Sequence, residues 1–228
     1  MRRTDSRPTL ATLQRLPAYR DAVERAAAQG LPDLTATSIA REVSVSPLVV
    51  RKDLESIGAR GRPRRGFPVA GLRDSIAGAL GGRALEPVVL VGVGALGTSL
   101  LRYRRFARYG LDIIAGFDSD RRKTGRETGG RRVLPMGDLP AFVRSRGIVT
   151  AVLTVPGSAA QEVTEQLVRA GIRGILNFAP VRLEVPDGVL VGRIEVAAAL
   201  AVLHHRRRSG GPRGQRPAAG EDLLQLSV

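Results

Sequence analysis

Apolar residues recur at helical spacing in the first third of the chain and predict two of its helices. The first begins after Thr9 and ends before Gly30 and Pro32. Its inward-facing positions are Leu13, Leu16, Tyr19 and Val23. A later helix, which Gly81-Gly82 ends, carries the same spacing at Leu72, Ile76 and Leu80.

Two shorter helices are predicted between these, with a tight turn joining them. Residues 35–43 form the first, with Thr35 or Thr37 as its N-cap. After the turn, Ser46 caps a second helix, which runs through Leu54 or Ile57 and has proline in its first turn. Two short helices in this arrangement, the second of them basic, are typical of a helix-turn-helix.

The candidate DNA contacts come from this second helix and from the segment after it. Arg51 and Lys52 can donate to guanine edges and phosphates, and Ser46 stands at the start of the helix. A solvated helix face is the alternative. Residues 58–68 predict a hairpin or wing whose Arg-Gly-Arg-Pro core suits an AT-rich minor groove, although a flexible basic linker would have a similar composition. Its candidate contacts are Arg60, Arg62, Arg64 and Arg65.

From Val88 onward, apolar runs alternate with helical patterns. This alternation favours a doubly wound parallel sheet of the Rossmann-like α/β type. The expected strands are 88–92, 112–118, 150–156 and 174–180, with helices near 97–106, 138–144, 159–170 and 194–205 between and after them. Residues 206–228 are rich in arginine, glycine and proline, and disorder is expected there.

A glycine-rich turn with the spacing Gly92-x-Gly94-x-x-Gly97 follows the first of these strands and opens a helix. In that context the glycines allow a tight turn and close approach of a pyrophosphate to the helix N-terminus, with Val93, Ala95 and Leu96 completing the turn. Asp118 closes the next strand, where a carboxylate accepts hydrogen bonds from an adenine ribose. It favours NAD(H) over NADP(H), although the neighbouring Lys123 could accommodate a 2′-phosphate.

Composition narrows the function further. The net charge of +15 suggests a polyanionic partner, although a coding bias toward arginine would also raise it. The chain has no cysteine, which excludes disulfides and thiol chemistry. Its only histidines, His204 and His205, end a helix, so neither a catalytic set nor a metal site is predicted. With no apolar run long enough for a membrane span or signal peptide, a cytoplasmic location is expected.

Several motifs together resemble the Rex family of bacterial redox-sensing repressors, which respond to NADH and NAD⁺. The resemblance covers roughly residues 9–205. The motifs are TLQRLPAY from Thr9, VRKDL from Val50, GVGALG from Gly92, FDSDRRKTG from Phe117, LTVPGSAAQ from Leu153 and AGIRGILNFAPVRLEVP from Ala170.

The resemblance implies a fold, a ligand pocket and an assembly. It implies a homodimer in which a C-terminal helix is swapped onto the partner, and it places Tyr103 beside the nicotinamide. It also implies that two loops line the pocket, namely Thr154, Val155 and Pro156, and Asn177, Phe178, Ala179 and Pro180. The expected domains are a winged-helix DNA-binding domain (9–84), an NAD(H)-binding domain (86–192), a dimerisation helix (193–206) and a disordered basic tail (207–228).

The function expected from these features is transcriptional repression controlled by the NADH/NAD⁺ ratio, with NADH releasing the protein from operator DNA. A poorly hydrated nicotinamide pocket would prefer the uncharged reduced ring. Two alternatives stay open at this point: an NAD-dependent oxidoreductase with a basic extension, and a CoA-binding module on a similar sheet.

Overall fold

The computed structural model describes residues 8–81, 85–208 and 225–227. The chain divides into two compact units: an N-terminal unit of Met1–Ala84 and His205–Glu221, and a second unit of Leu85–His204 and Asp222–Val228. Each unit has its own hydrophobic core.

In the N-terminal unit, residues 8–81 form four helices and a two-stranded antiparallel ribbon. Their bounds are α1 Leu10–Ala28, β1 Asp33–Leu34, α2 Ala36–Val43, α3 Pro47–Ser56, β2 Phe67–Pro68 and α4 Val69–Ala79. The core between the helices includes Leu16, Tyr19, Ile39, Val50, Leu54, Leu72 and Ile76. The apolar spacing therefore located these helices to within a few residues.

Side-chain caps explain where the first three helices begin. Thr9, Thr35 and Ser46 each accept a hydrogen bond from a first-turn backbone N–H, as Ser, Thr and Asn residues do at helix N-caps. Ser44 adopts a left-handed conformation (φ 57°) that ends α2 and turns the chain into α3. The helix-turn-helix therefore follows from local capping signals.

The segment between α3 and α4 forms the predicted hairpin. A β-bridge joins Arg62 to Gly66, and Arg64 adopts a left-handed conformation at φ 62°. At Gly66 (φ 94°), a Cβ atom would lie 2.6 Å from the carbonyl oxygen of Leu34, so only glycine lets the hairpin pack against β1.

The second unit is an eight-stranded sheet flanked by helices. Its strands are β3 Glu86–Val91, β4 Leu111–Asp118, β5 Glu127–Thr128, β6 Arg131–Pro135, β7 Thr150–Leu153, β8 Gly174–Asn177, β9 Leu190–Arg193 and β10 Gln225–Ser227. Its helices are α5 Ala95–Arg102, α6 Leu139–Ser145, α7 Gly157–Ala170 and the part of α8 (Val196–Arg208) up to His204. Short 3₁₀ turns at Arg104–Tyr109 and Met136–Asp138 complete it.

The strand order β10-β9-β8-β7-β3-β4-β6-β5 is that of a doubly wound sheet. The strands from β9 to β6 run parallel, and the edge strands β5 and β10 are antiparallel. Along β3, Val89 and Val91 join one hydrophobic cluster while Val88 and Leu90 join another, so both faces are covered. The direction of winding reverses between β3 and β7, which is where ligands of such sheets bind.

Three details differ from the sequence-based expectation or lie beyond it. Helix α5 ends at Arg102, so Tyr103 lies in an extended conformation after the helix rather than within it. Strands β5, β6, β9 and β10 were not predicted, and β10 (Gln225–Ser227) falls within the tail for which disorder was expected. Most of the expected tail, residues 209–224 and 228, lies outside the described residues, and domain swapping is not shown.

Candidate functional site

The three glycines of the turn after β3 serve three different purposes. Gly92 adopts φ 99°, and a Cβ there would lie 2.8 Å from the Thr154 carbonyl group. At Gly97 a Cβ would lie 2.0 Å from the Gly92 carbonyl oxygen, so the first turn of α5 packs directly on the loop. Gly94 faces open space, with no atom within 4 Å of its would-be Cβ.

Gly94 is also the N-cap of α5, and no side chain caps this helix. The first N–H groups of an α-helix lack partners within it, and the helix dipole places partial positive charge there. An open backbone with uncapped N–H groups suits an anionic group such as a pyrophosphate.

Thr154, directly after β7, holds the glycine turn from the other side of the reversal point. Its hydroxyl donates to the carbonyl oxygen of Gly92 (2.6 Å) and lies 3.1 Å from the carbonyl oxygen of Val91. The predicted Thr154 loop and the glycine turn are therefore one hydrogen-bonded unit.

Asp118, at the end of β4, is 7% exposed and accepts three hydrogen bonds. The donors are the N–H groups of Val93 (2.8 Å) and Asp120 (2.8 Å) and the ammonium of Lys123 (2.9 Å). Burial raises the pKa of Asp118, but the hydrogen bonds from these donors outweigh burial and hold the net pKa below its ordinary value. The group is therefore a carboxylate at neutral pH.

The Asp118 carboxylate holds the glycine turn and retains an acceptor position for a ligand. A carboxylate offers about four acceptor positions, so three internal bonds leave one for a ribose hydroxyl. The ammonium of Lys123 lies on the same oxygen as the Val93 bond, which places a cation where a 2′-phosphate would also be attracted.

A cavity of about 540 Å³ opens between these loops. The predicted residues that line it are Gly92, Gly94, Asp118, Lys123, Thr154, Val155 and Pro156. Residues that were not predicted also line it, namely Val91, Ser119, Asp120, Met136, Ala159 and Val163. Met136 and Val163 could not be found from motifs, because only the folded β6–α6 and α7 segments bring them to the sheet edge.

The other predicted ligand residues are not among those that line this cavity. The side chain of Asn177 is buried and spans its own loop, accepting from the Ala179 N–H (2.8 Å) and donating to the Val181 carbonyl (2.9 Å). Phe178 packs against a hydrophobic cluster of the sheet, and Tyr103 is 47% exposed with its ring edge-to-face on Phe106. Their nicotinamide contacts stay predictions.

In the N-terminal unit, the predicted contacts on α3 are accessible. Arg51 and Lys52 are exposed, and Ser46 accepts from the Val49 N–H as the N-cap. The wing arginines are exposed as well, but they fall into two pairs. Arg62 (3.8 Å) and Arg65 (3.6 Å) approach the carboxylate of Asp33, whereas Arg60 and Arg64 form no ion pair with the described residues.

The described residues include no group of His, Asp or Glu side chains that could hold a metal ion, and none of their helices is long and apolar enough to cross a membrane.

Comparison with known proteins matches both units. The family model "Putative DNA-binding protein N-terminus" covers residues 9–55, and "CoA binding domain" covers residues 85–181. A redox-sensing transcriptional repressor Rex from Treponema denticola is 39% identical, over 86% of this chain and 93% of the relative. The Rex of Rhodopirellula baltica is 40% identical, over 89% of this chain and 86% of the relative.

The chain belongs to the Rex family of redox-sensing transcriptional repressors. Among solved structures, RSP, a Rex-family repressor, has been determined with β-NAD⁺ and operator DNA. That structure superimposes with a TM-score of 0.81 at 26% identity, covering 88% of this chain and 93% of RSP. RSP with β-NADH gives a TM-score of 0.77 at 25% identity, covering 88% and 94%.

Proposed function

We propose that this Rex-family protein represses transcription by binding operator DNA through its N-terminal unit, and that NADH bound to its second unit releases it. The observation that carries the proposal is the glycine turn, whose three glycines have the geometry of a dinucleotide site in a chain that also contains a helix-turn-helix. RSP, solved with NAD⁺ and operator DNA and also with NADH, supports both ligands.

In this proposal the N–H groups at the start of α5 bind the pyrophosphate and the free acceptor position of Asp118 binds the adenine ribose. Gly94 allows the close approach, and Val155 and Pro156 provide apolar walls in the cavity. An apolar wall disfavours the positively charged oxidised ring more than the neutral reduced one, because burying a charge is costly. The ligand acts here as a signal, and the proposal assigns no catalytic residue.

The DNA contacts proposed are those of α3 and the wing. Arg51 and Lys52 would reach the major groove, and Arg60 and Arg64 would be the first wing residues available to the minor groove because neither is engaged by Asp33. A homodimer would present two such units to one operator, and exposed apolar residues on α8, including Val196, Leu200 and Leu203, offer a surface for it. A protein acting on bacterial DNA works in the cytoplasm.

The test is a binding titration with a duplex that the protein itself selects from a randomised pool. NADH should release the labelled duplex at a concentration at which NAD⁺ leaves it bound. CoA, the ligand suggested by the family model over residues 85–181, should have no effect. Equal release by NADH and NAD⁺ would contradict redox sensing, and release by CoA alone would favour the alternative module.

The variant Asp118→Asn separates ligand binding from DNA binding. It removes the charge that holds Lys123 and the Val93 N–H, so NADH affinity measured by fluorescence should fall about tenfold or more. Binding of the selected duplex should be retained. Asp187→Asn, which changes an exposed loop carboxylate, is the matched control. Full NADH affinity in Asp118→Asn would refute the assigned ribose site.

A further inference from the structure

A buried polar cluster in the N-terminal unit joins α1 to α3. Asp53 of α3 is 5% exposed, and its two oxygens accept from three side chains of α1. Arg15 donates twice (2.7 and 2.8 Å), Tyr19 donates its hydroxyl (2.7 Å) and Thr12 donates its hydroxyl (2.8 Å). These donors recur along one face of α1, at intervals of three and four residues.

We propose that this cluster, which we call the Asp53 cluster, is a positioning device that sets the rotation of α3 about its axis and so aims Arg51 and Lys52 at DNA. The inference rests on the proposed function of α3 in DNA binding.

The position of Asp53 along α3 supports this role. Successive residues of an α-helix are about 100° apart, so Arg51 lies about 200° around the helix from Asp53. With Asp53 directed at α1, Arg51 must point away from it, and Arg51 is indeed exposed. The contact that faces inward therefore determines which side chain faces outward.

Apolar packing alone would hold α3 in place without defining its rotation as tightly. Val50 and Leu54 are fully buried, but hydrophobic contacts are non-directional. A rotation of about 20° at a helix surface radius of about 6 Å moves a side chain by roughly 2 Å. This displacement is enough to break a hydrogen bond to a base edge, whose length varies by only about 0.5 Å.

The electrostatics of the cluster show that Asp53 is bound as an anion. Burial raises the pKa of Asp53, but the hydrogen bonds from Arg15, Tyr19 and Thr12 outweigh it and lower the net pKa. A negative charge next to Arg51 and Lys52 opposes DNA binding in itself. Asp53 therefore cannot favour DNA binding through its own charge, and its role is better explained by the helix orientation that it fixes.

This gives a test in which positioning and simple electrostatics predict opposite changes in affinity for the selected duplex. Asp53→Asn removes a negative charge near the DNA and frees Arg15, so electrostatics alone would tighten binding to every duplex. Loss of positioning would instead weaken binding to the selected duplex about tenfold or more, as loss of a base contact does, and would leave binding to a shuffled duplex equal or tighter.

The measurement is the specificity ratio, the Kd for the shuffled duplex divided by the Kd for the selected duplex. Both constants are measured for the full chain by fluorescence anisotropy well below the melting temperature. Tyr19→Phe keeps the ring and removes one donor, so it should lower the same ratio less and serves if Asp53→Asn does not fold. Arg15→Lys keeps the charge but loses the paired N–H groups, and it should also lower the ratio. Glu24→Gln, in an exposed pair between α1 and Arg73 of α4, is the control.

A falling ratio in the cluster variants with an unchanged ratio in Glu24→Gln supports positioning. An unchanged ratio in all cluster variants, even with a lower melting temperature, would overturn it and leave a purely stabilising contact. If the unmodified protein selects no duplex, the proposed function itself fails, and that result is distinct from an unchanged ratio.

Discussion

Two alanine substitutions in the glycine turn should have different effects, because the structure gives the two glycines different neighbours. At Gly97 the new Cβ would lie 2.0 Å from the Gly92 carbonyl oxygen and 3.0 Å from the Thr154 hydroxyl. A methyl carbon and a carbonyl oxygen in ordinary contact lie more than 3 Å apart, so α5 and the turn must separate by over 1 Å. At Gly94 the new Cβ meets nothing, and φ of −83° suits any residue.

Gly97→Ala should therefore reduce stability by about 1–3 kcal/mol, the usual cost of overpacking. It should also weaken NADH binding, because separation moves the turn that Asp118 and Thr154 hold. Gly94→Ala should leave stability nearly unchanged and still weaken NADH binding, because its methyl group occupies the space open to the pyrophosphate. Loss of one hydrogen bond to a charged group, about 1.5–3 kcal/mol, corresponds to roughly a 10- to 150-fold rise in Kd.

Thermal unfolding and NADH fluorescence titration measure the two effects separately. Gly78→Ala, on α4 in the N-terminal unit with no atom within 4 Å of its would-be Cβ, is the control: NADH binding should be unchanged, and stability should rise by about 0.5–1 kcal/mol because alanine favours a helix over glycine. If Gly94→Ala binds NADH as the unmodified protein does, the open face of the turn is not the ligand face. If Gly97→Ala is as stable as the unmodified protein, the close packing of α5 on the turn is refuted.

Two further predictions concern the N-terminal unit. Asp33→Asn should free Arg62 and Arg65 and tighten binding to an AT-rich duplex about two- to fivefold, the effect expected for partly exposed ion pairs. Asp74→Asn, which changes an exposed carboxylate on α4, is the control. An equal gain in affinity in this control would show that net charge alone is responsible. The lowered pKa of Asp53 means that its contribution to folding is complete above the unfolded pKa of about 3.9 and is lost as pH falls through the lower folded value. In urea unfolding, the free energy of unfolding should therefore fall less between neutral pH and pH 3 for Asp53→Asn than for the unmodified protein. Equal falls in the two proteins would contradict this assignment.

Local signals in the sequence were sufficient for much of the fold. The predicted caps, Thr35 or Thr37 for α2 and Ser46 for α3, and the spacing of apolar residues are properties of neighbouring residues. They placed the helix-turn-helix correctly, with Thr35 as the cap of α2. The glycine spacing and Asp118 likewise lie at predictable points of a strand-turn-helix unit. These are the parts in which a residue's structural role depends on residues a few positions away.

Contacts between distant segments account for what was missed. The end of α5 is one example: a Cβ on Gly129 would lie 2.7 Å from the Leu101 carbonyl, so the β5–β6 hairpin packs against the last turn of that helix. The helical pattern continues to Phe106, but the fold ends the α-helix at Arg102. Tyr103 then has extended backbone angles and separates the helix from the 3₁₀ turn at Arg104–Tyr109. Met136 and Val163 reach the cavity through the same kind of long-range packing.

Among the described residues, two buried carboxylates show how a strongly basic chain fixes its functional segments. Asp118 binds the glycine turn through Val93, and Asp53 binds α1 through three side chains. Each is ionised because its donors outweigh the cost of burial, and each lies beside groups assigned to an anionic ligand. Uncompensated charge in such places would weaken ligand binding, so both are neutralised by a cation of the chain, Lys123 or Arg15. The carboxylates thus orient the N–H and cationic groups around them. In the proposed function, the solvent-facing arginines bind DNA and the backbone N–H groups at the start of α5 bind the dinucleotide.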